Sequence, residues 1–120
     1  MKLIYDGRLP GLNETIGKAR ANRYIAAAEK KKLTEDVSWC FRAQTMDTFP
    51  GKVNVAINYY EKNMRRDPDN VTGGGAKIIM DALQMAEIIK NDSPKFVHLR
   101  QEVWYDKRYP RIEIEIKGAE

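Results

Sequence analysis

The sequence is nearly without the residues that build disulfides and soft-metal clusters. One cysteine, Cys40, stands among 120 residues, which excludes an internal disulfide and makes a reducing cytoplasm the expected compartment. One histidine, His98, excludes zinc sites of the Cys/His type and gives no footing to a Ser-His-Asp arrangement. It sits opposite Val97 and Leu99 in an alternating segment, where it is expected to face solvent or to pack. No apolar run approaches the roughly 18 residues of a membrane span, and the opening MKLIYDGRLP is too short and polar for a signal peptide. Neither an internal repeat nor a low-complexity tract divides the chain, so residues 1–120 are expected to form one domain.

What the sequence has in quantity is charge. Asp, Glu, Lys and Arg make up 32% of the chain and leave a net charge of +4. The excess persists although one stretch is rich in aspartate, so other surfaces must be more basic than the total suggests. Such surfaces attract a polyanion such as DNA.

The stretch from Arg65 to Asp92 organises the rest. It places Asp67, Asp69, Asp81 and Asp92 around one helix-length segment, with Arg65 and Arg66 before it and Lys77 inside it. Pro68 disfavours the α region for Asp67, so Asp67-Pro68-Asp69 is expected to be extended, with both carboxylates on one side and able to face one ion. The glycine-rich Val71–Ala76 is expected to be a flexible lead-in to a helix from about Ala76 to Ile89. On a wheel of roughly 100° per residue, Ile78, Ile79, Ala82, Leu83, Met85, Ala86 and Ile89 fill one arc, the pattern of a helix packed on a sheet. Asp81 lies at the edge of that arc and must be paired or serve as a ligand, since a desolvated carboxylate without a partner is costly. Lys77 is one turn before it on the same face. Ser93-Pro94 stops the helix. Spacing leaves open whether Asp92 returns beside Asp67 and Asp69.

In chain order, Lys2–Gly7 is expected to be a strand in or near the core of the sheet. Asn13 is a candidate N-cap for one long helix to about Gln44, with Ile25, Ala28, Leu33, Val37, Cys40, Phe41 and Gln44 on its apolar stripe. Its other side carries Lys18, Arg20, Arg23 and Lys30–Lys32. Trp39 is off the stripe and is expected to cover the edge of the core. Phe49-Pro50-Gly51 is a turn, and Val53, Val55, Ile57 and Tyr59 then alternate with polar or small residues as a strand running towards Arg65 and Asp67. Lys95–Tyr105 and Ile112–Ile116 are expected to be strands paired as an antiparallel hairpin. The expected fold is an α+β two-layer sandwich of order β-α-β-α-β-β, two helices on a mixed four-stranded sheet.

Several of these stretches together resemble the RusA family of Holliday junction resolvases. They are Asp67-Pro68-Asp69-Asn70, Lys77 four residues before Asp81-Ala82-Leu83, Asp92 ahead of a new strand, Leu9-Pro10-Gly11-Leu12-Asn13-Glu14, and the closing Arg111–Ile116. The resemblance implies a homodimeric, Mg²⁺-dependent endonuclease, with Mn²⁺ able to substitute, that nicks four-way DNA junctions in recombination and repair in a bacterial or phage setting. It implies Asp67, Asp69 and Asp92 as catalytic carboxylates and metal ligands, and Lys77 as the essential basic residue. Asn70 and Asp81 are secondary site candidates, and Arg65, Arg66, Lys77, Arg20 and Arg23 are candidate DNA contacts. The chain departs from the family pattern in its inserted glycine-rich segment and in Asn91-Asp92, where an acidic pair is expected.

Mg²⁺ takes oxygen ligands and keeps several waters, so two or three carboxylates and a phosphate oxygen suffice for it. The glycine run is not a nucleotide-binding loop, because Lys77 is followed by Ile78 and lacks the hydroxyl neighbour that such a loop requires. A non-catalytic junction-binding protein of the same fold is the alternative to the nuclease. A small-nucleotide phosphohydrolase would require an enclosed base pocket, of which the sequence gives no sign.

Overall fold

A computed structural model describes residues 1–119. The elements run β1 (Lys2–Asp6), α1 (Leu12–Ala21), α2 (Arg23–Gln44), β2 (Val53–Glu61), α3 (Pro68–Met85), β3 (Val97–Tyr105) and β4 (Arg111–Gly118). The four strands form one mixed sheet in the order β1-β4-β2-β3. Strand β2 is parallel to β3, and β4 is antiparallel to both β1 and β2. The expected α+β sandwich is what forms, with three helices in place of two.

The alternation in β2 works as read: Val53, Val55, Ile57 and Tyr59 are all buried. They meet Leu3, Ile112, Ile114 and Ile116 from the neighbouring strands, and Val37, Phe41, Ile79 and Leu83 from the helices, in one core. At about 25 cal/mol per Å² of apolar surface removed from water, this shared core is the main source of stability.

The single long first helix is instead two. Asn22 leaves the helical region at φ −160°, and its Oδ1 accepts hydrogen bonds from the amides of Tyr24 and Ile25, both at 3.1 Å. It is an N-cap that restarts the helix in a new direction. The predicted stripe is accordingly real only in its second half. Val37 and Phe41 are buried with Thr34 and Ser38, whereas Ile25 and Ala28 are exposed. Together α1 and the first half of α2 form an arm, and α1 buries no residue. Helix α1 begins at Leu12 with Gly11 as its N-cap, so Asn13 lies inside the helix. Trp39 does not cover the core, being 75% exposed beside Met46.

The last two strands do not pair with each other. Strand β4 carries three isoleucines that are at most 2% exposed and takes an interior position between β1 and β2. Strand β3 buries no residue fully and stands at the edge. The loop between them crosses the end of β2, where the Asp106 amide donates to the Glu61 carbonyl (2.8 Å) and the Gly7 amide to that of Pro110 (3.0 Å). Strand β1 is the opposite edge rather than the middle of the sheet. The Gln44 side chain occupies its free backbone groups, accepting from the Ile4 amide at 2.8 Å and donating to the Ile4 carbonyl at 2.7 Å. A covered edge does not recruit another strand.

Helix α3 begins and ends earlier than its apolar stripe suggests. Pro68 is its first residue, the position at which a missing amide costs nothing. At its other end Glu87 takes φ 59°. The Ile88 amide bonds the Leu83 carbonyl and the Glu87 amide that of Gln84, each at 2.9 Å. This is a Schellman termination with a non-glycine residue at the left-handed position, and Ile88 buries as its apolar lock. Both Ile88 and Ile89 therefore reach the core from a turn, not from the helix.

Candidate active site

The residues that lead from β2 into α3 are held by a buried ion pair. Glu61 continues the inward parity of β2, is 3% exposed, and meets Arg66, whose Nε and Nη2 both lie 2.8 Å from Glu61 Oε1. Arg66 Nη1 then donates to the Leu9 carbonyl at 2.9 Å. A cation so enclosed organises the chain around it, and the Arg66 side chain is only 11% exposed. Arg65, by contrast, is exposed. Glu61 was missed in the sequence because it is charged, although the period of the strand points it inward.

Leu9–Glu14 docks directly on the start of α3. Asn70 Oδ1 accepts from the Asn13 amide at 2.8 Å, satisfying one of the unpaired amides in the first turn of α1. Asn70 thus caps a neighbouring helix. The glycine run lies inside α3, not in a flexible lead-in. A Cβ on Gly74 would stand 2.1 Å from the Pro10 carbonyl oxygen, and one on Gly75 would stand 2.6 Å from the Tyr59 ring. The glycines permit close approach of the backbone. Gly74→Ala is therefore expected to cost about 2 kcal/mol or more by overpacking, read as a lowered thermal midpoint, whereas Ala at the open position Gly17 is expected to be neutral or stabilising.

This docking leaves two carboxylates outside. Asp67 is the N-cap of α3, extended at φ −64°, ψ 148°, and Asp69 is in its first turn. The extended reading thus holds for Asp67 and not for Asp69, which is helical. Both are exposed, and among the described residues neither has a cationic side chain within ion-pair distance.

A second acidic pair lies one face further along. Lys77 Nζ is 2.9 Å from Asp81 Oδ1 and 3.6 Å from Asp92 Oδ2. The turn that ends α3 therefore does bring Asp92 back, but to Lys77 and Asp81. Hydrogen bonding to Asp81, reinforced by the charge of Asp92, raises the Lys77 amine above its ordinary pKa of 10.5. The lysine stays charged across the whole neutral range. Eight residues of helix separate Asp69 from Lys77, about 12 Å of axis. Among the described residues, no three Asp, Glu, His or Cys side chains are grouped to hold one metal ion, so Asp67, Asp69 and Asp92 are not assembled as a triad within the single chain. The pair Asp67 and Asp69 remains a fitting donor set for Mg²⁺, which commonly takes one or two carboxylates and completes its shell with water and substrate phosphate.

In a comparison with protein families, the model for endodeoxyribonuclease RusA matches residues 9–117. The chain belongs to the RusA family. The matched range takes in both docked stretches, the Lys77 cluster, β2, β3 and β4 as far as Lys117, so these features lie within the RusA domain. Comparison with individually curated proteins gives no match.

The positive charge of this RusA domain is concentrated. Residues 12–32 hold six of the 21 Lys and Arg but only two of the 17 Asp and Glu. Their net +4 equals that of the whole chain. Arg20 and Arg23 are exposed on this arm, and Arg23 stacks over the Tyr24 ring at 5.0 Å. Of the two placements open to His98, solvent and packing, it takes the first and is exposed. Burial pushes the Cys40 thiol above its usual range, as suits a packing role. No helix among the described residues is long and apolar enough to cross a membrane.

Proposed function

We propose that this chain is a Mg²⁺-dependent, structure-selective endonuclease that acts as a homodimer and resolves four-way DNA junctions by paired nicks. The observation that carries this reading is the exposed pair Asp67 and Asp69, presented by a rigid strand-to-helix connection beside an arm that holds the chain's whole net positive charge. Mg²⁺ or Mn²⁺ bound there would activate water for in-line attack at phosphorus and stabilise the departing oxygen. The residues of the chain do the rest. Glu61 and Arg66 fix the backbone that carries Asp67, the arm steers the polyanion, and Lys77 meets charge that builds on the phosphoryl oxygens. A bacterial cytoplasm, host- or phage-directed, is the setting this chemistry suits.

One observation favours the second reading, a junction-binding protein without catalysis: Asp92 and Asp81 are engaged with Lys77 and stand apart from Asp67 and Asp69. Incubation with a synthetic four-way junction and a linear duplex, with and without Mg²⁺, separates the two. Symmetric nicks on the junction that require the metal support the nuclease; binding without nicks under every metal condition supports the alternative.

Lys77→Ala is expected to lower the cleavage rate more than the affinity, as befits a group acting on transition-state charge. Single-turnover rates beside binding isotherms check it, and a loss confined to affinity would make Lys77 a docking residue.

Two opposed strands of a junction must be cut, and one chain carries one Asp67/Asp69 pair. A two-fold dimer supplies two sites through a self-complementary interface. Light scattering is expected to give about twice the 13.8 kDa chain mass. Trp104, Tyr105 and Tyr109, each more than 40% exposed near the edge strand, are the first positions to vary.

A further inference from the structure

Where the arm leans on α3 there is a groove of about 350 Å³. Its walls are apolar and low: Leu12, Ala19, Ala26 and Leu33 on the arm, Gly73 and Ile78 on α3. Small residues at three of these positions, Ala19, Ala26 and Gly73, leave a slot unfilled between aliphatic surfaces. The rim has the opposite character. Lys18, Arg23, Lys30 and Lys77 stand around it, and Glu29 is the only acid among the lining residues, paired with Lys18 at 3.1 Å. Lys77 on this rim is the lysine that holds Asp81 and Asp92, so the groove adjoins the Lys77 cluster.

A purely apolar ligand has no use for four cations, and a simple anion has none for an apolar floor. A nucleotide carries both complements, a flat ring and a phosphate. We infer that the groove receives one unstacked base of the DNA substrate, with the adjoining phosphate on Arg23 and Lys30. This rests on the nuclease reading and extends it to a subsite. Proteins that hold an extruded base grip it between apolar or aromatic side chains, and extrusion costs least where stacking and pairing are already disturbed. The exchange point of a four-way junction is such a place. Seating a base there would set the register of the strand against Lys77, so that the position of the cut follows from the seat.

Four-way junctions carrying 2-aminopurine at successive positions around the exchange point test this with the full-length protein. With wild type, one position is expected to brighten on binding as its base leaves the stack. Ala26→Phe fills the slot; it is expected to lose that brightening and to cut the same junction at least about tenfold more slowly, the scale on which a filled pocket discriminates. A junction with an abasic site at the brightened position is expected to be cut by Ala26→Phe nearly as fast as by wild type, because nothing then needs seating. Ala27 also lines the groove, and Ala27→Leu gives a second filling if Ala26→Phe fails to fold by circular dichroism. A wild-type protein that binds and cuts the junction with no position brightened overturns the inference, as does a folded groove-filled variant that cuts intact junctions at the wild-type rate. A wild type that neither binds nor cuts junctions defeats the nuclease reading and this inference together.

Discussion

Replacing Asp69 by asparagine is expected to abolish junction cleavage while leaving junction binding intact or tighter. Asn preserves the size of the side chain and its local hydrogen bond with the Asn70 amide, which donates to Asp69 Oδ1 at 3.0 Å and can donate equally to an amide oxygen. What it removes is one of two negative oxygen donors. A cation held by only two carboxylates loses a large part of its binding energy with either of them, and cleavage is expected to fall by about three orders of magnitude, the several kcal/mol of charge stabilisation a bound ion supplies. The DNA, in contrast, meets a less negative surface, so the affinity has no reason to drop. Gel-shift titration in Ca²⁺ beside single-turnover cleavage in Mg²⁺ reads the two effects separately. An Asp69→Asn protein that cuts at near wild-type rate removes the Asp67/Asp69 pair from the chemistry, and with it the metal assignment. Parallel loss of binding and cutting would instead make Asp69 a structural N-terminal residue of α3.

The parts of the fold that were legible in the sequence are those in which a period and a burial pattern coincide. Val53 to Tyr59 and Ile112 to Ile116 read as strands because alternate residues enter one core, and the stripe from Ile78 to Leu83 read as a helix for the same reason. Breaks were harder. Asn22 interrupts two helices whose combined pattern stays helical, and its only signal is a capping residue in mid-stripe. Glu87 ends α3 in a left-handed turn that would favour glycine, and the apolar Ile88 and Ile89 beyond it mimic a continuing helix. Pairing order was illegible because adjacency in sequence favours a hairpin, whereas the burial demanded by three isoleucines places β4 inside. Within the candidate site, the pairing of Lys77 with Asp81 follows from a spacing of four residues. The position of Asp92 depends on the Schellman turn, and the value of the glycine run depends on the Pro10 backbone 64 residues earlier in the chain. Local composition carries neither contact.

Glu61→Gln is expected to be among the most damaging single changes outside the carboxylates. Glu61 is 3% exposed, and the side chain of Arg66 against it is only 11% exposed. A second cation, Arg8 Nη1, lies 3.7 Å from the same oxygen. Glutamine fills the space but leaves two guanidinium groups facing a neutral amide, and breaking a buried pair from one side costs about 3 kcal/mol or more. For a domain of this size that is roughly a 10 °C fall in Tm. Because Asp67 follows Arg66 directly and Leu9 hangs from the same guanidinium, the loss should reach the site as a reduced kcat. The paired substitution Glu61→Met with Arg66→Met decides how Arg66 acts. Similar volume without buried charge should recover much of the stability. If Arg66 serves by holding the connection between β2 and α3, cleavage recovers along with the melting temperature. Recovered stability with binding still lost would place the Arg66 guanidinium on the DNA, against the burial and pairing described here.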